Sequence, residues 1–145
     1  MPFARLALPL LLLASFAVHA EDSPDEAKFL KESADYFDQV TKANLPRQVD
    51  KVTTLNSVQL DPAKKMLYYR YAISNLRLDA MDLGARAKFE SGLKSQLESS
   101  TCQQPDLLER FRQHHLSVTH EYTGSDGKPL ASVTVDPQSL DCTRT

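Results

Sequence analysis

The chain of 145 residues is 41% hydrophobic and 8% aromatic, and its formal net charge at pH 7 is −2. This apolar content excludes a wholly disordered protein, because disordered chains lack the residues needed to build a core. The charge is close to zero and gives no electrostatic reason to expect nucleic acid or an anionic membrane surface as a partner.

The first 20 residues, MPFARLALPLLLLASFAVHA, have the pattern of a secretory signal peptide. Arg5 supplies the early positive charge, and the apolar run Leu6–Val18 is too short to cross a bilayer. The run contains no cysteine, and the residues up to Ala20 resemble a small-residue cleavage site. We expect cleavage near Ala20, a single exported domain over residues 21–145 without a membrane span, and a periplasmic or secreted location.

The exported part opens with a helix pattern. Ser23 can cap the helix, and Pro24 suits its first turn. Apolar residues then recur at helical spacing, at Leu30, Ala34, Phe37 and Val40. The helix should end before Pro46, because a proline disfavours helical backbone at the residue that precedes it.

Two strands joined by a short turn are predicted next. Residues 48–60 are rich in Val, Thr and Leu, and their imperfect alternation indicates a bulge. In residues 66–73, one face carries Leu67, Tyr69, Tyr71 and Ile73, and the other carries Met66, Tyr68, Arg70 and Ala72. Tyr68 and Arg70, on the face expected to lack helices, form a candidate contact surface. The alternative is a purely structural role, in which Tyr69 and Tyr71 fill the core and Tyr68 covers the outer face of the sheet.

Two further helices are predicted before a second hairpin. Asp82 can cap the first, whose apolar band comprises Leu83, Ala87, Phe89, Leu93 and Leu97. The second starts near Pro105 and should bury Leu107, Leu108 and Phe111. His114 and His115 fall at its C-terminal end, where histidines interact favourably with the helix dipole. This structural role is the alternative to a catalytic one.

Residues 116–135 alternate about the turn sequence GSDGKP and predict the second hairpin. His120 falls in its apolar register, so we expect a half-buried structural residue and not a ligand. The element order α-β-β-α-α-β-β predicts an α+β domain. We expect a four-stranded, mostly antiparallel sheet with two to three helices on one face.

The two cysteines, Cys102 and Cys142, both lie in the exported part, where a pair usually forms a disulfide. Closing that loop would stabilise the fold by roughly 4 kcal/mol. One alternative is a Cys102 nucleophile with His114 or His115 as its base; another is a structural metal site. Both lack support from spacing, since the sequence contains no CxxC, HxxxH or HExxH motif.

Motifs for common catalytic chemistry are missing from the sequence. It has no GxSxG elbow, no phosphate-binding glycine loop and no dinucleotide fingerprint, and it contains only 4 glycines. No pair of acidic residues stands out as a glycosidase couple. We therefore expect no catalytic residue, no cofactor, no metal ligand and no enzymatic activity.

Four segments together resemble a known family: ADYFDQVTKANLPRQVDKVTTLNSVQL, LYYRYAI, TCQQPDLLERF and HEYTGSDGKPLASVTV, followed by a closing cysteine. The family consists of small exported proteins from pseudomonads that are described as quorum-sensing-regulated virulence factors. The resemblance covers nearly the whole exported part. It implies an exported domain built of helices and strands, and it carries no catalytic residue that can be transferred.

We therefore expect a non-enzymatic exported binding or interaction protein, with a virulence-associated role implied by the resemblance. Its partner, a protein or a small molecule, is not identified by the sequence, and neither is its oligomeric state. The alternative is an inhibitor of a secreted hydrolase that inserts the loop TGSDGKP, residues 123–129, into a cleft. A small hydrolase that uses Cys102 is a third hypothesis, and it requires a free thiol.

Overall fold

The computed structural model describes residues 22–144, so the predicted leader, residues 1–20, lies outside the described residues. In chain order the main elements are α1 (Pro24–Asn44), β1 (Arg47–Gln48), β2 (Thr53–Asp61), β3 (Met66–Ile73), α2 (Leu83–Cys102), α3 (Pro105–Gln113), β4 (Ser117–Thr123) and β5 (Pro129–Val135). A short 3-10 helix, Leu78–Ala80, precedes α2. None of the helices within residues 22–144 has both the length and the apolar character needed to cross a bilayer.

Helix α1 has the boundaries that its local sequence predicts. The Oγ atom of Ser23 accepts a hydrogen bond from the Glu26 N–H at 3.2 Å, and Pro24 occupies the first turn. The helix ends at Asn44, and Leu45 is extended, as a residue before a proline should be.

The strands form one mixed sheet in the order β1-β2-β3-β4-β5. Three of the pairings are antiparallel, whereas β3 and β4 run parallel. The helices α2 and α3 supply the long crossover connection that a parallel pair requires. The prediction of an α+β fold is confirmed. The predicted four strands become five, and the two hairpins join through a parallel pair that the prediction did not specify.

The extra strand results from a turn inside the segment predicted as one strand. The Oδ1 atom of Asp50 accepts hydrogen bonds from the N–H groups of Val52, at 2.8 Å, and Thr53, at 2.7 Å. This side-chain capping reverses the chain, so that Arg47–Gln48 folds back and pairs with the start of β2. The predicted bulge is present, between Leu55 and Ser57.

Helix α1 also covers the part of the β2 edge that does not pair with β1. The Thr41 hydroxyl donates to the Val58 carbonyl at 2.8 Å and accepts from the Val58 N–H at 3.0 Å. One side chain therefore satisfies both edge-facing backbone groups of Val58. Such coverage removes part of an edge that another strand could otherwise extend.

All three helices pack on one face of the sheet, as predicted. One hydrophobic cluster joins Leu30 of α1 and Phe111 of α3 to strand residues such as Leu67, which is fully buried. A second cluster joins Phe89 and Leu93 of α2 to the far end of the sheet. The helices thus share the face of β3 that carries Leu67, Tyr69, Tyr71 and Ile73.

The predicted apolar side of α2 is only partly correct. The helix begins as predicted, since Asp82 Oδ1 accepts from the Ala85 N–H at 2.7 Å. However, Leu83 is 83% exposed, and no residue of α2 is fully buried. In α3, Leu107 is likewise 38% exposed, whereas Leu108 and Phe111 are buried as predicted. On both helices, the set of residues that contacts the sheet is therefore smaller than the set of apolar residues in the sequence.

Candidate functional site

The two cysteines lie together at the end of α2. The Sγ atoms of Cys102 and Cys142 are 1.98 Å apart and their Cα atoms 5.4 Å apart, as the predicted disulfide requires. Arg112 reinforces the contact, because its guanidinium donates to the carbonyls of Pro137, at 2.9 Å, and Leu140, at 3.0 Å. The C-terminal segment is therefore fastened to the helices both covalently and through hydrogen bonds.

The two adjacent histidines belong to the end of α3. The Nδ1 atom of His114 lies 2.8 Å from Glu26 Oε2, and its ring stacks on Phe29 with a centroid distance of 3.6 Å. His115 has a positive φ of 52° in the turn that follows the helix. These contacts tie the end of α3 to the start of α1. Within residues 22–144, no group of three or more His, Cys, Asp or Glu side chains is placed to hold a metal ion.

The predicted contact surface, Tyr68 and Arg70, lies on the outer face of the sheet, opposite the helices. The Nε atom of Arg70 donates to Glu121 Oε2 at 2.7 Å, and a terminal guanidinium nitrogen contacts Gln59 Oε1. The guanidinium carbon lies 5.4 Å from the centre of the Tyr68 ring. Because the charge of Arg70 is already compensated, this surface offers little net attraction for an anion. Its role in binding stays a prediction.

The inner face carries a row of rings that the sequence does not reveal. The parallel register places Tyr69 beside His120 and Tyr71 beside Tyr122. Their ring centroids are 5.1 Å and 4.8 Å apart, respectively, in stacked orientation. Alternation within each strand already predicts which face these residues occupy. Only the pairing of β3 with β4 brings the rings together, and that pairing is non-local.

The row is uncharged near neutral pH. Burial lowers the pKa of His120 to about 4 and raises the pKa of Tyr71 well above its usual value. Burial also raises the pKa values of Tyr69 and Tyr122. A histidine with so low a pKa is a poor general base at pH 7. The structure therefore makes His120 part of an aromatic surface, as the half-buried structural residue that the sequence predicts.

A cleft of about 400 Å³ opens between this aromatic row and α2, and we call it the inner cleft. Tyr71 and Tyr122 line one side of it, and Phe89, Leu93 and Leu97 of α2 line another. The three α2 residues are four positions apart, so they form one stripe along the helix. The stripe is only partly buried, which leaves an apolar surface open between the helix and the sheet.

The rim of the inner cleft is more polar and more exposed. Val49 on the rim is 47% exposed, and Asn75, Gln96 and Ser100 contribute hydrogen-bonding groups. Pockets that are mostly apolar, with a few polar groups at their edge, are the usual form of binding sites. The inner cleft can therefore take up apolar side chains and orient them. Its lining also includes Asp50, whose Oδ1 atom already accepts hydrogen bonds from the N–H groups of Val52 and Thr53.

Comparison with known proteins identifies the fold. No family model matches the chain, and no curated protein matches it by sequence. A Pseudomonas aeruginosa protein inferred to be secreted matches with a TM-score of 0.54 at 16% identity, over 83% of this chain and 100% of that protein. The pilotin EpsS of the Vibrio vulnificus type 2 secretion system matches with a TM-score of 0.59 at 16% identity, over 82% and 98%.

The pilotin AspS of the Vibrio cholerae type II secretion system is also similar, with a TM-score of 0.53 at 15% identity, over 79% of this chain and 95% of AspS. In each case the alignment spans nearly the whole of the other protein. At identities this low, the similarity shows a shared fold and nothing more specific. The chain therefore has the α+β fold that these exported-protein and pilotin structures have.

Proposed function

We propose that this chain is an exported, non-enzymatic protein that binds a protein partner through the inner cleft. The observation that carries the proposal is the incomplete packing of α2. Phe89 packs edge-on against Tyr122, with ring centroids 6.4 Å apart, but Phe89, Leu93 and Leu97 stay only partly buried where they line the inner cleft. Burying apolar surface contributes about 25 cal/mol per Å². A partner that fills the inner cleft gains this contribution, whereas the isolated chain lacks it.

The comparisons support a place for this binding in protein export. Two of the proteins that share the fold are pilotins of type 2 secretion systems. We therefore propose a partner that belongs to, or passes through, secretion machinery of the cell envelope. This agrees with the predicted leader, with cleavage near Ala20 and with a single exported domain over residues 21–145. Regulation by quorum sensing and a role in virulence remain predictions from the family resemblance.

The chemistry of the described residues supports binding over catalysis. A disulfide between Cys102 and Cys142 leaves neither sulfur as a thiolate nucleophile. The low pKa of His120 leaves this histidine poorly suited to proton transfer at neutral pH. The inner cleft is thus better suited to recognition than to bond cleavage.

The size of the inner cleft indicates what part of a partner it accepts. A volume of about 400 Å³ is at the lower end of the range for small-ligand pockets. It is suited to a few apolar side chains of a partner, with the segment that carries them lying along the rim. Asn75, Gln96 and Ser100 are placed to make hydrogen bonds to that segment. We propose that the partner contributes a short amphipathic segment.

A second candidate function is inhibition of a secreted hydrolase by the loop of residues 123–129. One observation favours it, because the loop is held rigidly at its base. Ser125 N–H donates to the Leu76 carbonyl at 2.9 Å, and a Cβ at Gly124 would lie 2.7 Å from that same oxygen. A loop ordered in advance loses less entropy on insertion. Dose-dependent, stoichiometric inhibition of hydrolases from the same compartment would support this function.

The binding proposal is tested with two aspartate variants of the exported chain, Leu93→Asp and Leu83→Asp. Both lie on α2, but Leu93 lines the inner cleft and Leu83 is 83% exposed outside it. Tagged wild-type protein and both variants are used to capture envelope proteins, and the bound proteins are compared by quantitative mass spectrometry. We expect Leu93→Asp to lose partners that Leu83→Asp retains. Equal capture by both variants would contradict the proposal.

A further inference from the structure

A second apolar groove, which we call the α1–α3 groove, lies between those two helices and shares no lining residue with the inner cleft. Its volume is about 440 Å³, and Phe37, Phe111 and Leu116 contribute apolar lining. Tyr36 and Leu107 also line it, although they are 61% and 38% exposed. Large exposed apolar side chains beside a groove indicate an interaction surface.

The helical positions along this groove have a symmetric pattern. Phe29, Ser33 and Tyr36 are spaced four and three residues apart, so they share one face of α1. The two aromatic residues stand at nearly equal distances on either side of Ser33. Serine is small enough to let a second helix approach closely at that point. In either direction along the helix, the order is therefore an aromatic residue, a small residue and an aromatic residue.

We propose that the α1–α3 groove is the interface of a two-fold homodimer in which the α1 helices of two copies cross antiparallel near Ser33. In such an interface, residue i contacts residue j of the other copy, and residue j contacts residue i. Pairing Phe29 with Tyr36 of the other copy satisfies this condition at both ends of the crossing. The exposed Tyr36 ring of each copy then enters the groove of the other. This inference is independent of the function proposed for the inner cleft.

The charges at the groove select a second copy over other occupants. Glu32 lies on the α1 side and Arg110 on the α3 side. The side chain of Arg110 has no ion-pair or hydrogen-bond partner within residues 22–144, and the ion pair of Glu32 with Lys28 is exposed and 3.7 Å long. A purely acidic partner would meet Glu32, and a purely basic one would meet Arg110. In the two-fold dimer, Glu32 of each copy meets Arg110 of the other copy, so the opposite-charge contact forms twice.

Charge-swap variants test this interface by sedimentation velocity over a range of concentrations of the exported chain. Both side chains are exposed, so Glu32→Lys and Arg110→Glu should fold normally, which circular dichroism checks. We expect a dimer for the wild type and, for each variant alone, a dissociation constant raised by about tenfold or more. Mixing the two variants restores both opposite-charge contacts and should restore the dimer. Leu83→Ser, outside the groove, should leave dissociation unchanged.

Three results would overturn the proposal. The first is a wild-type chain that remains monomeric at every concentration tested. The second is a dimer that neither charge swap weakens, or one that the mixed variants fail to restore, because either outcome places the interface elsewhere. Binding of a different protein to the α1–α3 groove of a monomeric chain would also count against it.

Discussion

Replacing Leu93 with alanine should cost far less stability than the same change at Leu67, if the inner cleft is a binding site and not a core. The change removes three carbon atoms, and each buried methylene contributes about 0.8 kcal/mol. Leu67 is fully buried, so the loss of transfer energy and the cavity together should reach about 2–5 kcal/mol. Leu93 is only partly buried and borders open space, so we expect about 1 kcal/mol.

Urea denaturation followed by circular dichroism measures both costs. The chain has no tryptophan, so tyrosine fluorescence supplies a second probe of the transition. Leu93→Ala should also reduce capture of the partner, whereas Leu67→Ala should affect capture only through the fraction of folded protein. If Leu93→Ala destabilises the chain as much as Leu67→Ala does, the inner cleft is closed in solution, and the argument from incomplete packing is wrong.

Three further predictions concern the contacts that hold the fold. Thr41→Val removes both side-chain hydrogen bonds to Val58 and should destabilise the chain by about 1–3 kcal/mol, with Thr41→Ser retaining most of the stability in the same denaturation assay. Burial lowers the pKa of His120 from 6.5 to about 4, so the unfolded chain takes up the proton first as the pH falls. Stability should therefore be complete above about pH 6.5 and fall by at most about 3 kcal/mol down to pH 4. His120→Phe should flatten that part of a pH series, and an unchanged slope would contradict the burial of a neutral imidazole. Finally, the intact mass of the exported protein should correspond to cleavage near Ala20 and show no alkylation before reduction. Replacing Cys102 and Cys142 with serine should cost roughly 2–4 kcal/mol, and two reactive thiols in the native protein would refute the pairing.

The predicted contact surface has its own test. Tyr68→Ala and Arg70→Ala remove side chains from the outer face without touching the helices. If the inner cleft carries recognition, both variants should capture the partner as the wild type does. Loss of partner capture with an unchanged denaturation midpoint would show that Tyr68 and Arg70 form the binding surface.

Features determined by neighbouring residues could be predicted from the sequence. The Ser23 cap, the end of α1 before Pro46 and the alternation in β3 all follow from local chemistry, and the structure has each of them. The strand Arg47–Gln48 could not be predicted by periodicity, because two residues carry no pattern. The strand exists because the Asp50 side chain caps a turn that reverses the chain. An aspartate in the sequence does not by itself show that the residues before it pair with the residues after it.

The candidate site was harder to predict because it depends on contacts between distant segments. The sequence assigns Tyr71 and Tyr122 to apolar faces, but only the parallel register of β3 and β4 places them side by side. In the same way, an apolar band along α2 predicts burial, whereas the position of the helix beside β5 leaves Leu83 exposed and the stripe at Leu93 partly open. The burial of each apolar residue on a helix depends on where the helix lies against the sheet, and the spacing of apolar residues along the helix does not determine that position.

Site-specific photo-crosslinking in the cell tests the central claim most directly. A photoreactive phenylalanine analogue placed at position 93 lies in the inner cleft, and the same group at position 83 lies on the exposed start of α2. The account predicts that position 93 forms a discrete crosslinked product with one envelope protein and that Leu97→Asp abolishes it. It predicts no such product at position 83. A product of equal yield from both positions, or none from position 93, would contradict the claim that the inner cleft receives a partner.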